Sequence, residues 1–246
     1  MIDVLIICGG EGTRLHKAGL PSKKILIKFS KLFIFQFLFD SLKKIKHKQI
    51  NFISNKIISK SLKKEFNSIK KKNFQSIKFL VEDFKMGTAG FFIKNLKIFK
   101  DIIFIIYGDL FINTDLSKIY KRFIKDGYDM LIIGQDNGHP KDSDLLKFDK
   151  TNKIKSIIKK PHSFKTSSKL KVLSLEPIII CKKKIFQNIS FSNGSIDLIH
   201  DILPNLINSK KFKIGIYNFE DYKNINNYII DCGTPERYKL LKSMFG

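Results

Sequence analysis

Residues 4–15 read VLIICGGEGTRL, an apolar run that changes abruptly into a glycine-rich loop. The apolar run predicts a buried strand, and the glycines after it leave the backbone without side chains. Successive backbone N–H groups of such a loop can converge on phosphate oxygens, and Arg14 adds a cationic fork. The stretch therefore predicts a strand that ends at an anion-binding loop, with candidate ligands Gly9, Gly10, Gly12, Thr13 and Arg14.

Two commoner phosphate-binding loops do not fit this stretch. A P-loop requires Gly-Lys-Ser/Thr after four spacer residues, and the sequence lacks it. A dinucleotide-binding fingerprint requires glycine where Leu15 stands and an acidic residue after the second strand, where Ser54 and Asn55 stand instead. The loop therefore predicts a phosphate-binding loop of another class.

Strand-like and helix-like segments alternate through the first 137 residues. Predicted strands are Asp3–Cys8, Gln49–Ser54, Ser76–Glu82, Ile102–Tyr107 and Asp129–Gly134. Predicted helices are Ile34–Lys46, Ile57–Lys71, Gly87–Leu96 and Leu116–Asp126. This order predicts an α/β fold with a doubly wound, mostly parallel sheet, in which ligands bind at the carboxyl ends of the strands.

From residue 138 onward the pattern changes to strands joined by short polar turns. Predicted strands are Leu145–Phe148, Ile154–Lys160, Val172–Ile180 and Phe212–Phe219, and predicted helices are Ser195–Ile207 and Pro235–Met244. We find no repeat or low-complexity linker. The sequence therefore predicts one domain, residues 1–246, whose second half has mixed strands.

Composition narrows the partners and the compartment. The net charge is +24, but all except three of the 46 basic residues are lysine, scattered through every segment. Recognition of nucleic acid usually draws on arginine forks and surface aromatics, so we expect no nucleic-acid partner. No apolar run approaches the ~18 residues of a membrane span. Three widely spaced cysteines predict reduced thiols in a cytoplasmic protein.

Three further segments, with the opening loop, resemble the sugar-1-phosphate nucleotidyltransferases and extend that resemblance over nearly the whole chain. They are EDFKMGTAGFF (Glu82–Phe92), YGDLF (Tyr107–Phe111) and DCGTPERY (Asp231–Tyr238). The resemblance implies a Rossmann-like fold in which residues 1–137 bind the nucleotide and residues 138–246 bind the sugar phosphate. It leaves open whether the chain forms a homo-oligomer.

The resemblance implies attack by a sugar 1-phosphate on the α-phosphorus of a nucleoside triphosphate, with release of pyrophosphate. Positioning and charge neutralisation dominate such chemistry. Arg14 would bind the β/γ end of the triphosphate, and Asp109 and Asp231 would hold Mg²⁺. The catalytic candidates are Arg14, Asp109 and a loop lysine, for which alignment of the next apolar residues favours Lys24 over Lys23.

For the base, the family places an acidic residue before a Gly-Thr-Ala-Gly turn. The candidate base-binding residues are therefore Glu82, Gly87, Thr88 and Ala89. A glycine-started helix cap is the structural alternative for the last three.

The acceptor segment GHPKDSDLLKFD…IIKKPH (residues 138–162) resembles heptose- and mannose-1-phosphate guanylyltransferases. On that resemblance Lys160 contacts the sugar phosphate, and Asp142 and Asp144 line the sugar pocket unless they only form turns. His139 and His162 are interpreted as polar loop residues. Two departures are Lys159 in place of glutamate and Leu175-Glu176-Pro177 in place of Asn-Ala-Gly, where Glu176 is a candidate ligand of sugar hydroxyls.

We therefore predict an enzyme that uses Mg²⁺ and transfers a nucleotidyl group, by resemblance from GTP, to a heptose- or mannose-type 1-phosphate for surface polysaccharide synthesis. Cytidylyl or uridylyl transfer to another acceptor is open. A non-catalytic regulatory subunit that senses nucleotide sugars is the alternative of a different class. The altered acceptor segment favours that alternative, whereas Arg14, Asp109 and Asp231 favour the enzyme.

Overall fold

A computed structural model describes residues 1–69, 76–163, 171–191, 194–222 and 227–246. Its strands are β1 (Ile2–Ile7), β2 (Lys28–Phe29), β3 (Leu32–Phe33), β4 (His47–Ser54), β5 (Ile77–Val81), β6 (Ile102–Tyr107), β7 (Leu110–Asn113), β8 (Met130–Gln135), β9 (Leu145–Phe148), β10 (Ile154–Ile158), β11 (Lys171–Lys182), β12 (Ile214–Asn218) and β13 (Tyr228–Asp231). Its α-helices are α1 (Thr13–Lys17), α2 (Ile34–Leu42), α3 (Lys56–Ser68), α4 (Gly90–Lys94), α5 (Ser117–Lys125), α6 (Leu203–Ser209) and α7 (Pro235–Phe245).

The chain divides into two compact units, and β6 contributes residues to both. Unit 1 comprises Met1–Lys85, Ile105–Ser117 and Asn224–Gly246. Unit 2 comprises Met86–Phe104 and Lys118–Lys223. The prediction of one domain with a boundary near residue 137 stays a prediction.

In unit 1 the sheet order is β6, β1, β4, β5, and the β1–β4 and β4–β5 pairs are parallel. The carboxyl ends of these strands lead into the loops that carry the predicted nucleotide-binding residues. The Gly108 N–H donates to the Ile7 carbonyl at 2.8 Å, and the Glu82 N–H donates to the Ser54 carbonyl at 3.0 Å. These bonds fix the strand ends from which Asp109 and Glu82 project.

Phenylalanines form the core between this sheet and helices α2 and α3. The half-buried Phe66 packs against several of them, with ring centroids 4.6 Å from Phe35, 5.4 Å from Phe52 and 5.5 Å from Phe79. Edge-to-face and stacked aromatic pairs at such distances stabilise a core beyond the burial of their area. The scaffold that presents the strand ends is therefore densely packed.

In unit 2 the strands are mainly antiparallel. β9 pairs with β10 and β11, and β11 pairs with β8, all antiparallel, whereas β8 and β12 are parallel. The predicted α/β fold, with a mostly parallel sheet followed by mixed strands, is thus confirmed.

Two predicted helices were wrong at their starts. The helix predicted from Gly87 begins only at Gly90, because Gly87 has a left-handed φ of 75° that a helix does not allow. The helix predicted from Ser195 begins at Leu198 as a π-helical turn and becomes α-helical only at Leu203. Pro204, which has no N–H to donate, lies in the first turn of α6.

The other predicted elements agree within a few residues with those observed, although the predicted end of α3, at residues 70 and 71, lies outside the described residues. Two paired strands were not predicted, β7 and β13, together with the short β2–β3 hairpin. Among the described helices, none is long and apolar enough to span a membrane.

Candidate active site

The glycines of the loop after β1 have different structural roles. Gly12 has a left-handed φ of 62°, and a Cβ there would lie 2.2 Å from the Ser22 carbonyl oxygen. The protein itself therefore requires glycine at this position. A Cβ on Gly10 would meet no atom of the described residues within 4 Å, apart from those of its chain neighbours. The backbone at Gly10 thus faces open space that a ligand can approach.

Three of the predicted charged residues converge on Gly233, which follows β13. A Cβ on Gly233 would lie 2.7 Å from Oδ1 of Asp231, 3.1 Å from Nζ of Lys24 and 3.3 Å from an Nη atom of Arg14. A side chain at this position would have to displace the ends of all three charged side chains. Sequence motifs more than 200 positions apart therefore meet in unit 1.

Asp109 joins this group through the backbone and through Lys24. The Cys232 N–H donates to the Asp109 carbonyl at 2.9 Å, which holds the residues after β6 against those after β13. The Lys24 ammonium donates to Oδ2 of Asp109 at 2.8 Å. Burial opposes the charged ammonium, but the Asp109 carboxylate outweighs it and holds the pKa of Lys24 above its ordinary value.

The surroundings of Asp231 disfavour its negatively charged, ionised form. Burial and the nearby charge of Asp109 raise its pKa, although Arg237 and the Gly233 N–H both bind it. Two carboxylates that repel each other in one site favour a divalent cation between them. The donor set therefore fits a hard cation, and no third His, Cys, Asp or Glu joins it among the described residues. The remaining ligands of such a cation would be phosphate oxygens and water.

The two candidate loop lysines have different hydrogen-bond partners. Lys24 lies against Asp109, whereas the Lys23 ammonium donates to the Ser61 hydroxyl of α3 at 2.9 Å in an exposed position. This geometry favours Lys24 as the lysine of the charged cluster, and its role in the reaction stays a prediction.

Glu82 follows β5 and carries an unsatisfied acceptor. Its Oε1 atom is buried and has no hydrogen-bond partner among the described residues. Its Oε2 atom would lie 3.1 Å from a Cβ on Gly9. Burial raises the pKa of Glu82 to about 7. A buried acceptor without a donor is costly, so this carboxylate is suited to a ligand that brings donors.

The predicted base-binding turn lies in unit 2. The Ala89 N–H donates to the Ile196 carbonyl at 3.1 Å, and the Ala89 carbonyl accepts from Ile93. Both backbone groups of Ala89 are therefore engaged within the protein. The Thr88 hydroxyl donates to Oδ2 of Asp197 at 2.9 Å. Contact of this turn with a base stays a prediction.

Asp144 and Lys160 are brought together, but through a backbone bond. Oδ1 of Asp144 accepts the Lys160 N–H at 3.0 Å, and Oδ2 lies 2.9 Å from Nε2 of His200. The Lys160 residue is exposed. Asp142 ends the short 3-10 turn Pro140–Asp142, and His162 Nε2 lies 3.0 Å from the Ser143 carbonyl.

Glu176 lies within β11 and is only 4% exposed. The pairing of β11 with β8 shifts register between Glu176 and Ile179, at the position of Pro177. Oε1 of Glu176 lies 3.5 Å from the Asn137 amide. The segment that departs from the family pattern is thus a bulged strand, and binding of sugar by Glu176 stays a prediction.

The family of this chain follows from its similarity to known proteins. Residues 3–238 match the nucleotidyl transferase family, and the chain belongs to that family. It is 27% identical over 248 residues to D-glycero-alpha-D-manno-heptose 1-phosphate guanylyltransferase of Campylobacter jejuni, covering 96% of this chain and 97% of that relative. The resemblance to sugar-1-phosphate nucleotidyltransferases is therefore confirmed, and the protein is an enzyme of that kind.

Solved structures show the same fold. HddC from Yersinia pseudotuberculosis superposes with a TM-score of 0.72 at 23% identity, and its complex with GMP-PN superposes with 0.74 at 20%; both cover 100% of each chain. The inositol-1-phosphate CTP transferase of T. maritima superposes with 0.73 at 17% identity, covering 99% of this chain and 95% of that one.

Sequence reasoning missed Arg237 and His200. Arg237 binds the Asp231 carboxylate, and His200 binds Asp144. One signal pointed to Arg237, because it is one of only three arginines in a lysine-rich chain and lies within the recognised motif DCGTPERY. We find no comparable signal for His200, whose partner lies 56 positions away.

Proposed function

We propose that this enzyme transfers GMP from GTP to a heptose- or mannose-type 1-phosphate, releasing pyrophosphate and supplying a GDP-sugar for surface glycan synthesis. The observation that carries the proposal is the convergence of Arg14, Lys24 and Asp231 on Gly233, with Asp109 bound to Lys24. Such a site neutralises a triphosphate and the charge that develops on it.

In the reaction a phosphate oxygen of the sugar 1-phosphate attacks the α-phosphorus of GTP. The bond from that phosphorus to the bridging oxygen breaks, and its electron pair leaves with pyrophosphate. Gly10 offers open backbone to the triphosphate, and Arg14 and Lys24 offset its negative charge. Lys160 would bind the phosphate of the acceptor.

Mg²⁺ is the proposed metal, and Asp109 and Asp231 are the residues that would hold it. When bound, it would withdraw charge from the phosphate oxygens during transfer. Burial and repulsion by Asp109 raise the pKa of Asp231, and this supports the assignment because a bound cation would offset both effects.

Glu82 supports guanine as the base. Guanine presents two neighbouring donors, N1–H and the N2 amino group, and a carboxylate accepts both. Uracil and thymine present one donor flanked by two acceptors, and a carboxylate repels those acceptors. The unsatisfied Oε1 of Glu82 fits the guanine edge, and the name of the Campylobacter relative agrees with guanylyl transfer.

All three cysteines are free and buried, which supports the proposed cytoplasmic location. Whether the chain forms a homo-oligomer stays open.

The test is pyrophosphate release with Mg²⁺, for GTP, CTP, UTP, ATP and dTTP, each with mannose 1-phosphate, glucose 1-phosphate and a D-glycero-D-manno-heptose 1-phosphate. We expect release with GTP and the heptose or mannose acceptor. Release only with CTP or UTP would replace guanylyl by another nucleotidyl transfer. Nucleotide binding without release for any pair would favour a regulatory subunit.

A further inference from the structure

His200, which lies outside all the recognised motifs, is at the centre of a hydrogen-bonded network in unit 2. Its Nε2 atom lies 2.9 Å from Oδ2 of Asp144, and its Nδ1 atom lies 3.8 Å from Oδ1 of Asp197. Its carbonyl accepts from the Lys159 ammonium at 2.6 Å. The residue therefore uses both its ring and its backbone to hold neighbouring segments.

On one side, the network fixes the end of the hairpin that carries Lys160. Oδ1 of Asp144 accepts the Lys160 N–H at 3.0 Å while Oδ2 is bound to His200. The Asp144 side chain is only 11% exposed, so its carboxylate depends on these partners in place of water. Lys159 and Lys160 are thus attached to His200 by two separate routes.

On the other side, Asp197 ties the turn before α6 to Thr88. Oδ1 of Asp197 accepts the N–H groups of Ile199 and His200 at 2.9 and 2.8 Å, and Oδ2 accepts the Thr88 hydroxyl. The Thr88 hydroxyl in turn accepts the Leu198 N–H at 2.8 Å. These bonds hold Asp197 in place without the imidazole ring of His200.

We propose that His200 is a positioning residue for the acceptor: through Asp144 it sets the backbone position of Lys160. This inference rests on the proposed function, because Lys160 is there assigned to the sugar phosphate. The network also accounts for Lys159, where the family has glutamate, since a glutamate at that position has no proton for the His200 carbonyl.

Removal of the ring should act on the acceptor and leave the nucleotide unaffected. In His200→Ala, Asp144 loses its bond at Oδ2 and Lys160 loses a fixed partner, whereas Asp197 keeps its bonds to Thr88 and to the turn. We expect the KM for the sugar 1-phosphate to rise on the order of fivefold to tenfold, as loss of one charge-assisted hydrogen bond implies, with the KM for GTP unchanged.

Two variants accompany this one. His200→Gln keeps a donor that reaches Asp144, and it should restore most of the acceptor KM. His47→Ala is the matched control, because His47 lies at the start of β4, at the end opposite the candidate site, and it should leave both KM values unchanged. An acceptor KM in folded His200→Ala equal to that of wild type would overturn the proposal, as would a rise that Gln does not reduce.

A second measurement separates this proposal from the proposed function. Hydrogen exchange at the Lys160 amide should be several-fold faster in His200→Ala than in wild type and in His47→Ala, since its acceptor Asp144 is no longer held. This readout needs no turnover. If the wild type is inactive with every substrate pair, faster exchange still supports the positioning role, and unchanged exchange overturns it.

Discussion

The Lys24 ammonium lies 2.8 Å from Oδ2 of Asp109, and a second Lys–Asp pair of the same length, Lys44 with Asp115, lies elsewhere in unit 1. The two pairs have the same chemistry in different surroundings. Lys24 and Asp109 lie beside a second carboxylate and an arginine, whereas Lys44 is largely exposed. The second pair therefore serves as an internal control for the first.

Asp109→Asn should abolish Mg²⁺-dependent turnover and leave the fold intact, because it removes a metal ligand while preserving shape. The measurement is pyrophosphate release together with a thermal melt. Burial would then act on Lys24 without the opposing carboxylate, so its pKa should fall. Asp115→Asn should retain turnover. Normal activity in a folded Asp109→Asn protein would remove Asp109 from the metal site.

Arg14→Ala should lower kcat/KM by on the order of 10²–10³, as removal of one preorganised charge at a transition state does. Arg14 is exposed, so its melting temperature should stay near that of wild type. Lys17→Ala removes a cation from the same short helix and should change the rate little. An unchanged rate for Arg14→Ala would mean that the loop after β1 does not bind triphosphate.

Sequence patterns predicted most of the sheet because buried strands such as β6 are continuous apolar runs. They did not predict β7, which follows β6 after only Gly108 and Asp109 and so merges with it in the pattern. Its partner β13 lies more than 100 positions away. Pairing at that distance depends on tertiary packing, and local propensity does not register it.

In the candidate site, too, the sequence predicted some residues and missed some of their contacts. Arg14 and Lys24 were predicted from the opening loop, and Asp109 and Asp231 from two other motifs. All four lie in one cluster because each stands at the end of a strand or in the loop after it. Arg237 lies in α7, and its bond to Asp231 depends on how that helix is placed after β13. Asp144 was predicted to line the sugar pocket, and its engagement with the Lys160 backbone depends on a contact between a loop and a hairpin end.

Glu82 should make stability and nucleotide affinity depend on pH in opposite directions. Its pKa in the folded protein, about 7, lies above the ordinary value, so its contribution to stability is complete below pH ~4.5 and is lost as the pH rises through 7. Glu82→Gln should therefore gain about 1–2 kcal/mol over wild type at pH 8, a figure reduced for the partial exposure of the side chain. Urea melts at pH 4.5 and pH 8 provide the measurement.

Affinity for guanine should run the other way, because only the ionised carboxylate accepts both N1–H and the N2 amino group. Affinity for GTP should rise between pH 6 and pH 8 in wild type and rise less in Glu82→Gln. Because the variant lacks the titrating carboxylate, its remaining pH dependence measures titration of the triphosphate itself. Titration calorimetry at several pH values would measure both. Equal pH dependence in the two proteins would exclude Glu82 from the base site.

Gly10 and Gly12 distinguish space reserved for a ligand from space that the fold itself requires. In Gly12→Ala the new Cβ would overlap the Ser22 carbonyl oxygen at 2.2 Å on a left-handed backbone, so we expect a loss of stability of about 2–4 kcal/mol.

In Gly10→Ala the Cβ enters open space at a backbone conformation that alanine accepts, so the melting temperature should stay unchanged. The same methyl group would keep the triphosphate from the backbone, and the KM for GTP should rise on the order of tenfold, a loss of a single close backbone contact. Gly127→Ala, at an open position outside unit 1 whose left-handed φ of 66° costs the variant about 1 kcal/mol of stability, controls for a glycine lost far from the loop and should leave the KM for GTP unchanged. An unaltered KM in Gly10→Ala would place the triphosphate away from this loop, whatever the stability of the Gly12 variant.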